Sequence, residues 1–237
     1  MLKVKNINMR FNGLNVLDDV SFEYAGNGVL GIVGPNGSGK TTMLNIIGGN
    51  IIQTKGDITY EGKILNHYSL YKRAALGIVR TYQNGKVFPS HTLKEHLLLI
   101  KGIQKSNIAN ADIKKMLHRF GLEEKEEKLA ATLSFGQKRR LELAMAMMRS
   151  DAKLYLFDEP TSGVDSGFIE EFKEILHLLR KSNKGIIIIE HNLDLMKEIA
   201  DQLIVLEGGK ILATGSPAEV LQRQDVHDAY LGGVNAS

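Results

Sequence analysis

The feature that most constrains the fold is a cluster of glycines between an apolar run and a helix-like segment. Gly34 to Gly39 holds three glycines and a proline. The preceding run, Val29–Val33, is typical of a buried strand. The following residues, Thr41 to Ile47, have apolar side chains at helical spacing. The chain therefore predicts a strand, a tight loop and a helix, in that order.

The loop matches the pattern G-x-x-x-x-G-K-[ST] of a phosphate-binding P-loop. Glycines let successive backbone N–H groups turn inward, and the start of the next helix adds its positive end. We expect Lys40 to reach the β and γ oxygens of a nucleotide and the Thr41 hydroxyl to bind Mg²⁺. A glycine-rich turn without a ligand is the alternative. The residues expected to contact the nucleotide are Gly34, Pro35, Asn36, Gly37, Ser38, Gly39, Lys40, Thr41 and Thr42.

A second apolar run ends in two carboxylates. Leu154 to Phe157 predicts a strand, and Asp158 and Glu159 follow it directly. A sheet strand would bring Asp158 beside the loop as a metal ligand. We expect Glu159 to position and activate the water that attacks the γ-phosphate, the alternative being a carboxylate on the surface.

The strand and helix patterns divide the chain. Strands are predicted at Leu2–Met9, Val20–Tyr24, Val29–Val33, Asp57–Tyr60, Ile78–Tyr82, Leu154–Phe157, Ile186–Ile189, Leu203–Leu206 and Lys210–Ala213. From Thr92 to about Arg149 nearly every segment has helical spacing, beginning with a capping box of Thr92 and Glu95. Another helix spans about Asp165 to Lys181. We expect a core of residues 1–83 and 151–237, interrupted by a helical subdomain of residues 84–150.

A five-residue motif narrows the class of NTPase. Leu133-Ser134-Phe135-Gly136-Gln137 resembles the signature motif of ATP-binding-cassette ATPases, and the resemblance extends over nearly the whole chain. Taken alone, Ser134 and Gln137 are also the ends of an ordinary capping box. The resemblance implies an α/β fold: a P-loop NTPase core with a mostly parallel sheet, an antiparallel β N-terminal subdomain and an inserted α-helical subdomain.

The same resemblance implies roles for single residues. Phe11 would stack on adenine, or else be a core residue ending the first strand. Gln83 would contact the metal or the attacking water, or else be an ordinary loop residue. Asp165 would be the D-loop aspartate, the N-cap of the next helix, or both. His191 would contact the γ-phosphate, or else be structural.

The resemblance also implies a partner. Ser134, Phe135, Gly136 and Gln137 would bind the nucleotide of a second ATP-binding subunit, so that ATP drives dimer closure. The chain departs from the common family pattern at Phe135, where Gly is usual, and at Gly163-Val164, where Ala-Leu is usual.

Two segments indicate which kind of ATP-binding-cassette ATPase the chain resembles, Gly77 to Asn84 and Asp228 to Gly233 near the end of the sequence. Both resemble the ATPases of branched-chain amino acid importers, which implies integral membrane subunits and, indirectly, a periplasmic or extracellular binding protein. The ATPase would then lie in the cytoplasm, on the inner face of the membrane. The alternative is a soluble family member of the cofactor-assembly type without a transport role.

Composition excludes several other classes. The chain has no cysteine, which excludes a disulfide scaffold, a thiolate metal site and a Cys nucleophile. Net charge is +3 with the basic and acidic residues interspersed, so no nucleic-acid partner is expected.

Motifs exclude further classes. A GTPase should have N-K-x-D, but Asn183-Lys184-Gly185 is followed by Ile186. A non-catalytic module would be expected to lack Lys40 or Glu159. The other histidines, His67, His91, His96, His118, His177 and His227, show no metal-ligand spacing.

Overall fold

The computed structural model describes residues 1–81, 87–104 and 109–232. The strands are β1 Leu2–Phe11, β2 Leu14–Tyr24, β3 Gly28–Val33, β4 Lys55–Tyr60, β5 Lys63–Ile64, β6 Ile78–Arg80, β7 Leu154–Asp158, β8 Gly185–Ile189, β9 Gln202–Glu207 and β10 Lys210–Gly215. The helices are α1 Lys40–Gly48, α2 Leu70–Ala75, α3 Leu93–Gln104, α4 Asn110–Arg119, α5 Phe135–Met147, α6 Ser166–Lys181, α7 Leu193–Ile199, α8 Pro217–Val220 and α9 Gln224–Gly232.

Two sheets form the strand layers. One is antiparallel, in the order β2-β1-β4-β5, and is built from the N-terminal part of the chain. The other has the order β10-β9-β3-β8-β7-β6. Its strands β9, β3, β8, β7 and β6 run parallel, and β10 returns antiparallel to β9. The expected α/β fold with a mostly parallel sheet and an antiparallel N-terminal sheet is confirmed.

The parallel strands are buried on both faces, as continuous apolar runs such as Ile186–Ile189 predict. Alternate residues of β3 enter two different cores. Leu30 and Ile32 pack with α1 and the antiparallel sheet, whereas Val29 and Val33 face a second core that includes residues of α3 to α7. The sheet is therefore a rigid middle layer with cores on both sides.

The carboxyl ends of the central strands meet at one edge. Asp158 at the end of β7 is in register with Ile189 of β8, and Ile189 is in register with Ile32 of β3. The loop after β3, the carboxylates after β7 and His191 after β8 consequently share that edge. In open α/β sheets, ligands bind outside the carboxyl ends of the strands.

Several predicted boundaries were wrong. β1 and β2 are longer than Leu2–Met9 and Val20–Tyr24, because an Asn12-Gly13 turn with positive φ at both residues joins them as one hairpin. The short elements β5 and α2 were missed. The segment between α4 and α5 is not continuously helical and contains two 3₁₀ turns, at Glu123–Lys125 and Ala130–Thr132. The Thr92–Glu95 capping box and the Leu203–Ala213 hairpin are confirmed.

Candidate nucleotide site

The loop between β3 and α1 has the backbone that its glycines suggest. Gly34, Gly37 and Gly39 have φ of +143°, +78° and +100°. A Cβ at Gly34 would lie 2.0 Å from the carbonyl oxygen of Leu206, and one at Gly39 would lie 2.8 Å from that of Val16. Both positions therefore exclude a side chain, and the loop is held between β2 and the end of β9.

Lys40 extends back across this loop. Its Nζ donates to the carbonyl oxygens of Gly34 and Pro35, both at 2.8 Å, and the residue is only 5% exposed. An ammonium group has three N–H donors, so one remains for a phosphate oxygen. Burial lowers the pKa of Lys40 from its usual value, and the Glu159 and Asp158 carboxylates oppose this shift. The Ser38 hydroxyl is also buried and has no hydrogen-bond partner in the described part of the chain. A phosphate here would satisfy both groups.

Asp158 and Thr41 form a pair of oxygen donors. The Thr41 hydroxyl lies 3.4 Å from Asp158 Oδ1, while Arg80 Nη2 lies 2.9 Å from Asp158 Oδ2. Burial raises the pKa of Asp158 above its usual value, and Arg80 opposes the shift. Mg²⁺ prefers hard oxygen ligands and usually takes one or two carboxylates together with substrate phosphates, and the Thr41–Asp158 pair fits that ligand set.

Glu159 and His191 meet directly. His191 Nε2 lies 2.7 Å from Glu159 Oε1, with the Glu159 side chain 11% exposed and the His191 ring 41% exposed. Glu159 has a positive φ of 47°, which is uncommon for a residue with a side chain. Its backbone N–H donates to Ile189 O at 2.9 Å, which fixes it against the end of β8. The two residues predicted to act at the γ-phosphate are thus brought together.

Sequence reasoning missed three buried charged residues that contact Asp158, Glu159 or His191. Glu190 accepts hydrogen bonds from the Thr161 N–H and hydroxyl at 2.9 and 2.6 Å, and from the His191 N–H at 3.2 Å. Arg139 on α5 donates to the carbonyl oxygen of Glu159 at 3.3 Å and pairs with Glu142. Arg80 is the third. A charge in or directly after an apolar strand was the available signal for Arg80 and Glu190, whereas nothing in the local sequence distinguishes Arg139 from Lys138 or Arg140.

Phe11 is not a core residue. It ends β1 at the tip of the hairpin and is 43% exposed, so the core alternative is wrong. β2 continues from this hairpin to Leu17, whose side chain lies against Gly39. An exposed aromatic ring is therefore carried on the strand pair that flanks the loop.

The Ser134 segment is a separate feature. Ser134 is the N-cap of α5, where its Oγ accepts from Gln137 N at 3.3 Å and Gln137 Oε1 accepts from Ser134 N at 3.0 Å. The capping-box prediction is confirmed. In the described ranges no hydrogen bond joins Ser134 or Gln137 to Gly34–Thr41. The structure does not connect the predicted signature residues to this chain's own loop.

The two departures from the common family pattern contact each other. Phe135 is 48% exposed, and a Cβ at Gly163 would lie 3.2 Å from Phe135 Cε1. Gly163 has φ +72°, and the Arg139 guanidinium lies 5.5 Å from the centre of the Phe135 ring. The aromatic ring thus occupies space that a side chain at position 163 would need.

The remaining predicted residues have simpler outcomes. Asp165 is the N-cap of α6, with its Oδ1 accepting from Phe168 N at 3.0 Å, so that reading is confirmed. Gln83 lies outside the described residues. In the described residues no cluster of three His, Cys, Asp or Glu side chains could hold a metal by itself. No helix within those same ranges is long and apolar enough to cross a bilayer.

Comparison with known proteins agrees with this site. The model of the ABC transporter family matches residues 17–162. The chain is 33% identical over 250 residues to the high-affinity branched-chain amino acid transport ATP-binding protein LivG of Salmonella typhimurium, covering 98% of each. It is 30% identical over 235 residues to the lipopolysaccharide export system ATP-binding protein LptB of Haemophilus influenzae, covering 98% of this chain and 97% of that protein.

Solved structures give the same result. The ADP conformation of an ATP-binding cassette of an ABC transporter superposes with a TM-score of 0.84 at 29% identity and 98% coverage of both chains. A nucleotide-free cassette gives 0.83 at 28% identity, covering 97% of this chain and 98% of that chain. The chain therefore belongs to the ABC transporter family, as an ATP-binding subunit that hydrolyses ATP.

Proposed function

We propose that this chain is an ATPase of an amino acid importer and that two ATP-binding subunits, identical or different, close on ATP. The observation that carries the proposal is the separation of two anion-binding features. The loop around Lys40 is built and buried within one chain, whereas the Ser134 helix start has no hydrogen bond to it in the described residues. A second subunit would supply the missing half of each site.

The nucleotide would bind along the loop. The backbone of Gly34 to Gly39 and the start of α1 provide N–H donors, and Lys40 uses its third N–H on the β and γ oxygens. Thr42 follows in the first turn of α1. The exposed Phe11 ring would stack on adenine. Mg²⁺ would be held by Thr41 and Asp158, with Gln83 as a further ligand predicted from the sequence, and it would neutralise charge on the phosphates.

Hydrolysis would depend on Glu159. His191 Nε2 lies 2.7 Å from Oε1 of Glu159, and the Glu159 carboxylate would accept a proton from the attacking water. The water oxygen bonds to the γ-phosphorus while the bond to the β–γ bridging oxygen breaks, which yields ADP and inorganic phosphate. The Arg139 and Ile189 contacts hold the Glu159 backbone while this happens.

The partner's phosphates would meet the Ser134 helix start. The first N–H groups of a helix and its positive end form an anion site, and α5 has thirteen residues to support it. Ser134, Phe135, Gly136 and Gln137 are the first residues that the partner would contact. Asp165 lies at the start of α6, directly after Gly163-Val164, where it would join the same interface.

A groove would receive a membrane subunit. A cavity of about 230 Å³ has a mainly apolar lining that includes Leu70, Ala74, Val79, Ile100 and Met145. These residues come from both the proposed core, residues 1–83 and 151–237, and the proposed helical subdomain, residues 84–150. A membrane subunit docked there would sense movement between the two, which would place the chain in the cytoplasm on the inner face of the membrane.

The proposed solute rests on the sequence similarity of this chain to a transport ATP-binding protein of known family. LivG, a branched-chain amino acid transport ATP-binding protein, is 33% identical to this chain across 98% of both. A periplasmic or extracellular binding protein would then deliver the solute. Lipopolysaccharide export is a second candidate, favoured by the 30% identity to LptB over a similar span. A soluble cofactor-assembly ATPase is the alternative without a membrane partner.

The dimer proposal is tested with Glu159→Gln. We expect its ATPase rate to fall by about 10²- to 10⁴-fold, because the general base is lost. With MgATP it should sediment as a dimer, whereas with MgADP it should sediment as a monomer. Retained ATPase activity, or a monomer under every nucleotide condition and with the companion subunits present, contradicts the proposal.

The solute is tested on the whole transporter. The chain is purified together with the membrane subunits that bind it and is reconstituted in vesicles with a candidate binding protein. Leucine, isoleucine or valine should raise ATP hydrolysis and accumulate inside the vesicles. Stimulation by lipopolysaccharide instead supports export, and failure to co-purify with any membrane subunit supports the soluble alternative.

A further inference from the structure

Arg80 makes a buried ion pair with the predicted metal ligand Asp158. Arg80 Nη2 lies 2.9 Å from Asp158 Oδ2, and the two side chains are 4% and 2% exposed. Removing one partner of such a pair leaves an uncompensated buried charge, which is strongly unfavourable. The pair is therefore a fixed part of this region rather than a surface contact.

The same guanidinium is held by α1. Arg80 Nη1 donates to Asn45 Oδ1 at 2.7 Å and to Asn50 Oδ1 at 3.3 Å. Asn45 lies in α1, the helix whose first turn contains Thr41. Because a guanidinium presents its donors in a rigid fork, one side chain on β6 fixes α1 relative to the end of β7.

These contacts determine which carboxylate oxygen of Asp158 is directed towards the predicted metal site. Oδ2 is taken by Arg80, and Oδ1 faces the Thr41 hydroxyl at 3.4 Å. A carboxylate held at one oxygen by a rigid partner cannot rotate freely, so the other oxygen keeps its direction. Groups that orient a metal ligand in this way tune the affinity for the metal.

We propose that Arg80 is a positioning residue of the metal site, which holds the Asp158 carboxylate so that Oδ1 faces Thr41. The proposal rests on the proposed binding of Mg²⁺ by Thr41 and Asp158. Arg80 would act through Asp158 and would not contact the nucleotide.

The test measures metal binding without hydrolysis. Mn²⁺ replaces Mg²⁺ as a probe, and its affinity for the ADP complex is measured by electron paramagnetic resonance. Arg80→Met keeps an unbranched side chain but loses the fork, and it should weaken Mn²⁺ binding about 10- to 100-fold. Arg80→Lys should lie between wild type and Arg80→Met, because one ammonium cannot span Asp158 and Asn45 as a fork does. ADP binding in the presence of EDTA should change much less than Mn²⁺ binding in both variants.

A matched control uses another buried arginine. Arg149 pairs with Asp151 through Nε and Nη2, both at 2.8 Å, and is 7% exposed. Arg149→Met should lower the melting temperature but leave Mn²⁺ affinity unchanged. If Arg80→Met does not fold, Asn45→Ala removes only a support of the guanidinium and should weaken Mn²⁺ binding in the same direction by a smaller factor.

The outcomes separate the two proposals. Unchanged Mn²⁺ affinity in folded Arg80→Met, or in Asn45→Ala where Arg80→Met does not fold, overturns the role of Arg80 if Asp158→Asn does weaken binding. If Asp158→Asn also leaves Mn²⁺ affinity unchanged, the metal assignment itself is wrong. Equal loss in Arg149→Met would show that the effect comes from general destabilisation, and it would overturn the proposal too.

Discussion

The loop around Lys40 and the helix start at Ser134 both suit an anion, but they are built in opposite ways. Lys40 and Asp158 are both buried. Lys40 bonds to the carbonyl oxygens of its own loop, whereas Asp158 is held by residues distant in sequence, such as Arg80, 78 residues away. Ser134 is exposed, and its capping box closes over only three residues. The first feature is held together by contacts within this chain, and the second is a local structure on the surface, where we propose that the nucleotide of a second subunit binds.

The largest loss of ATP affinity should come from a substitution in the loop around Lys40. Lys40→Met removes a buried ammonium that spans the loop. Truncating such a group costs about 2–5 kcal/mol, which is at least ~30-fold in the Kd for ATP. Isothermal titration of the single chain with ATP measures this loss. Affinity equal to that of wild type would show that Lys40 does not contact the phosphates.

The comparison predicts a different result at Ser134. Asp and Asn are both good N-caps, so Ser134→Asp and Ser134→Asn should keep α5 folded. Only the aspartate adds a negative charge opposite the partner's phosphates. In the Glu159→Gln background, Ser134→Asp should bind ATP as a single chain yet fail to sediment as a dimer, whereas Ser134→Asn should still dimerise. Equal dimerisation of both variants would remove Ser134 from the interface.

A smaller effect is expected where Phe135 meets Gly163. Gly163→Ala should destabilise the fold by about 1–2 kcal/mol, because a left-handed conformation is unfavourable for a residue with a Cβ. The added methyl would also press on the Phe135 ring at 3.2 Å. At about 2–4 °C per kcal/mol for a chain of this size, scanning calorimetry resolves the change.

A double variant at positions 135 and 163 separates the backbone strain at Gly163 from the contact with the Phe135 ring. Gly163→Ala should destabilise the fold through two contributions, contact with the Phe135 ring and the unfavourable φ at position 163. In the double variant Phe135→Ala/Gly163→Ala, the first contribution should disappear and the second should remain. Interaction energies between contacting residues are typically 0.5–3 kcal/mol in such cycles. Strict additivity would mean that the ring and Gly163 do not constrain each other, and the two departures from the family pattern would then be independent.

The half-site around Lys40 was largely predictable, because its residues lie in continuous motifs at the ends of strands. Gly34 to Thr41 needed only the glycines and the following helix pattern, and Asp158 and Glu159 directly follow Leu154 to Phe157. Apolar runs buried on both faces gave the parallel sheet. A capping box is likewise local, which is why the structures at Ser134 and Thr92 were predicted correctly.

Contacts between distant segments were not predictable in the same way. Arg80 reaches Asp158, Arg139 reaches the Glu159 carbonyl, and Phe135 touches Gly163 only because the fold places them together. Arg139 and Phe135 each have the sequence context of an ordinary charged or apolar side chain. The position of Arg80 in an apolar strand is unusual, but it does not identify Asp158 as the partner. The exposure of Phe11 was left open for the same reason, since an aromatic residue at a strand end does not reveal whether the strand continues into an exposed hairpin.

The smallest effect should appear as a difference in pH response between the two regions. His96 is fully buried in the helical part, where its Nε2 accepts from the Phe88 N–H at 2.8 Å and its Nδ1 bonds to Thr92 O at 2.7 Å. Burial lowers the pKa of His96 from its usual 6.5, the Thr92 contact opposes this, and His91 and Glu95 exert weaker, opposite influences. The neutral ring is therefore the form that the fold needs.

The direction of the pH effect follows from the linkage between proton binding at His96 and folding stability. Below pH 6.5 the unfolded chain binds the His96 proton more tightly than the folded chain does, so stability is present above that pH and is lost as the pH falls towards the folded pKa. Asp158 acts in the opposite direction, because its pKa is raised in the fold and acid therefore favours the folded state there. Acid should thus weaken the Phe88–His96 contact, whereas protonation of Asp158 should not contribute to the loss of folding stability.

The measurement compares wild type with His96→Asn, in which an amide can donate and accept but does not titrate. From about pH 7.5 to about pH 5.5, the melting temperature of wild type should fall by a few degrees more than that of the variant. Hydrogen exchange at the Phe88 amide, compared between the two proteins at matched pH, localises the effect. A parallel fall in both proteins would assign the acid response to other groups, and the contrast between a charge-paired half-site and a neutrally bonded helical region would lose its support.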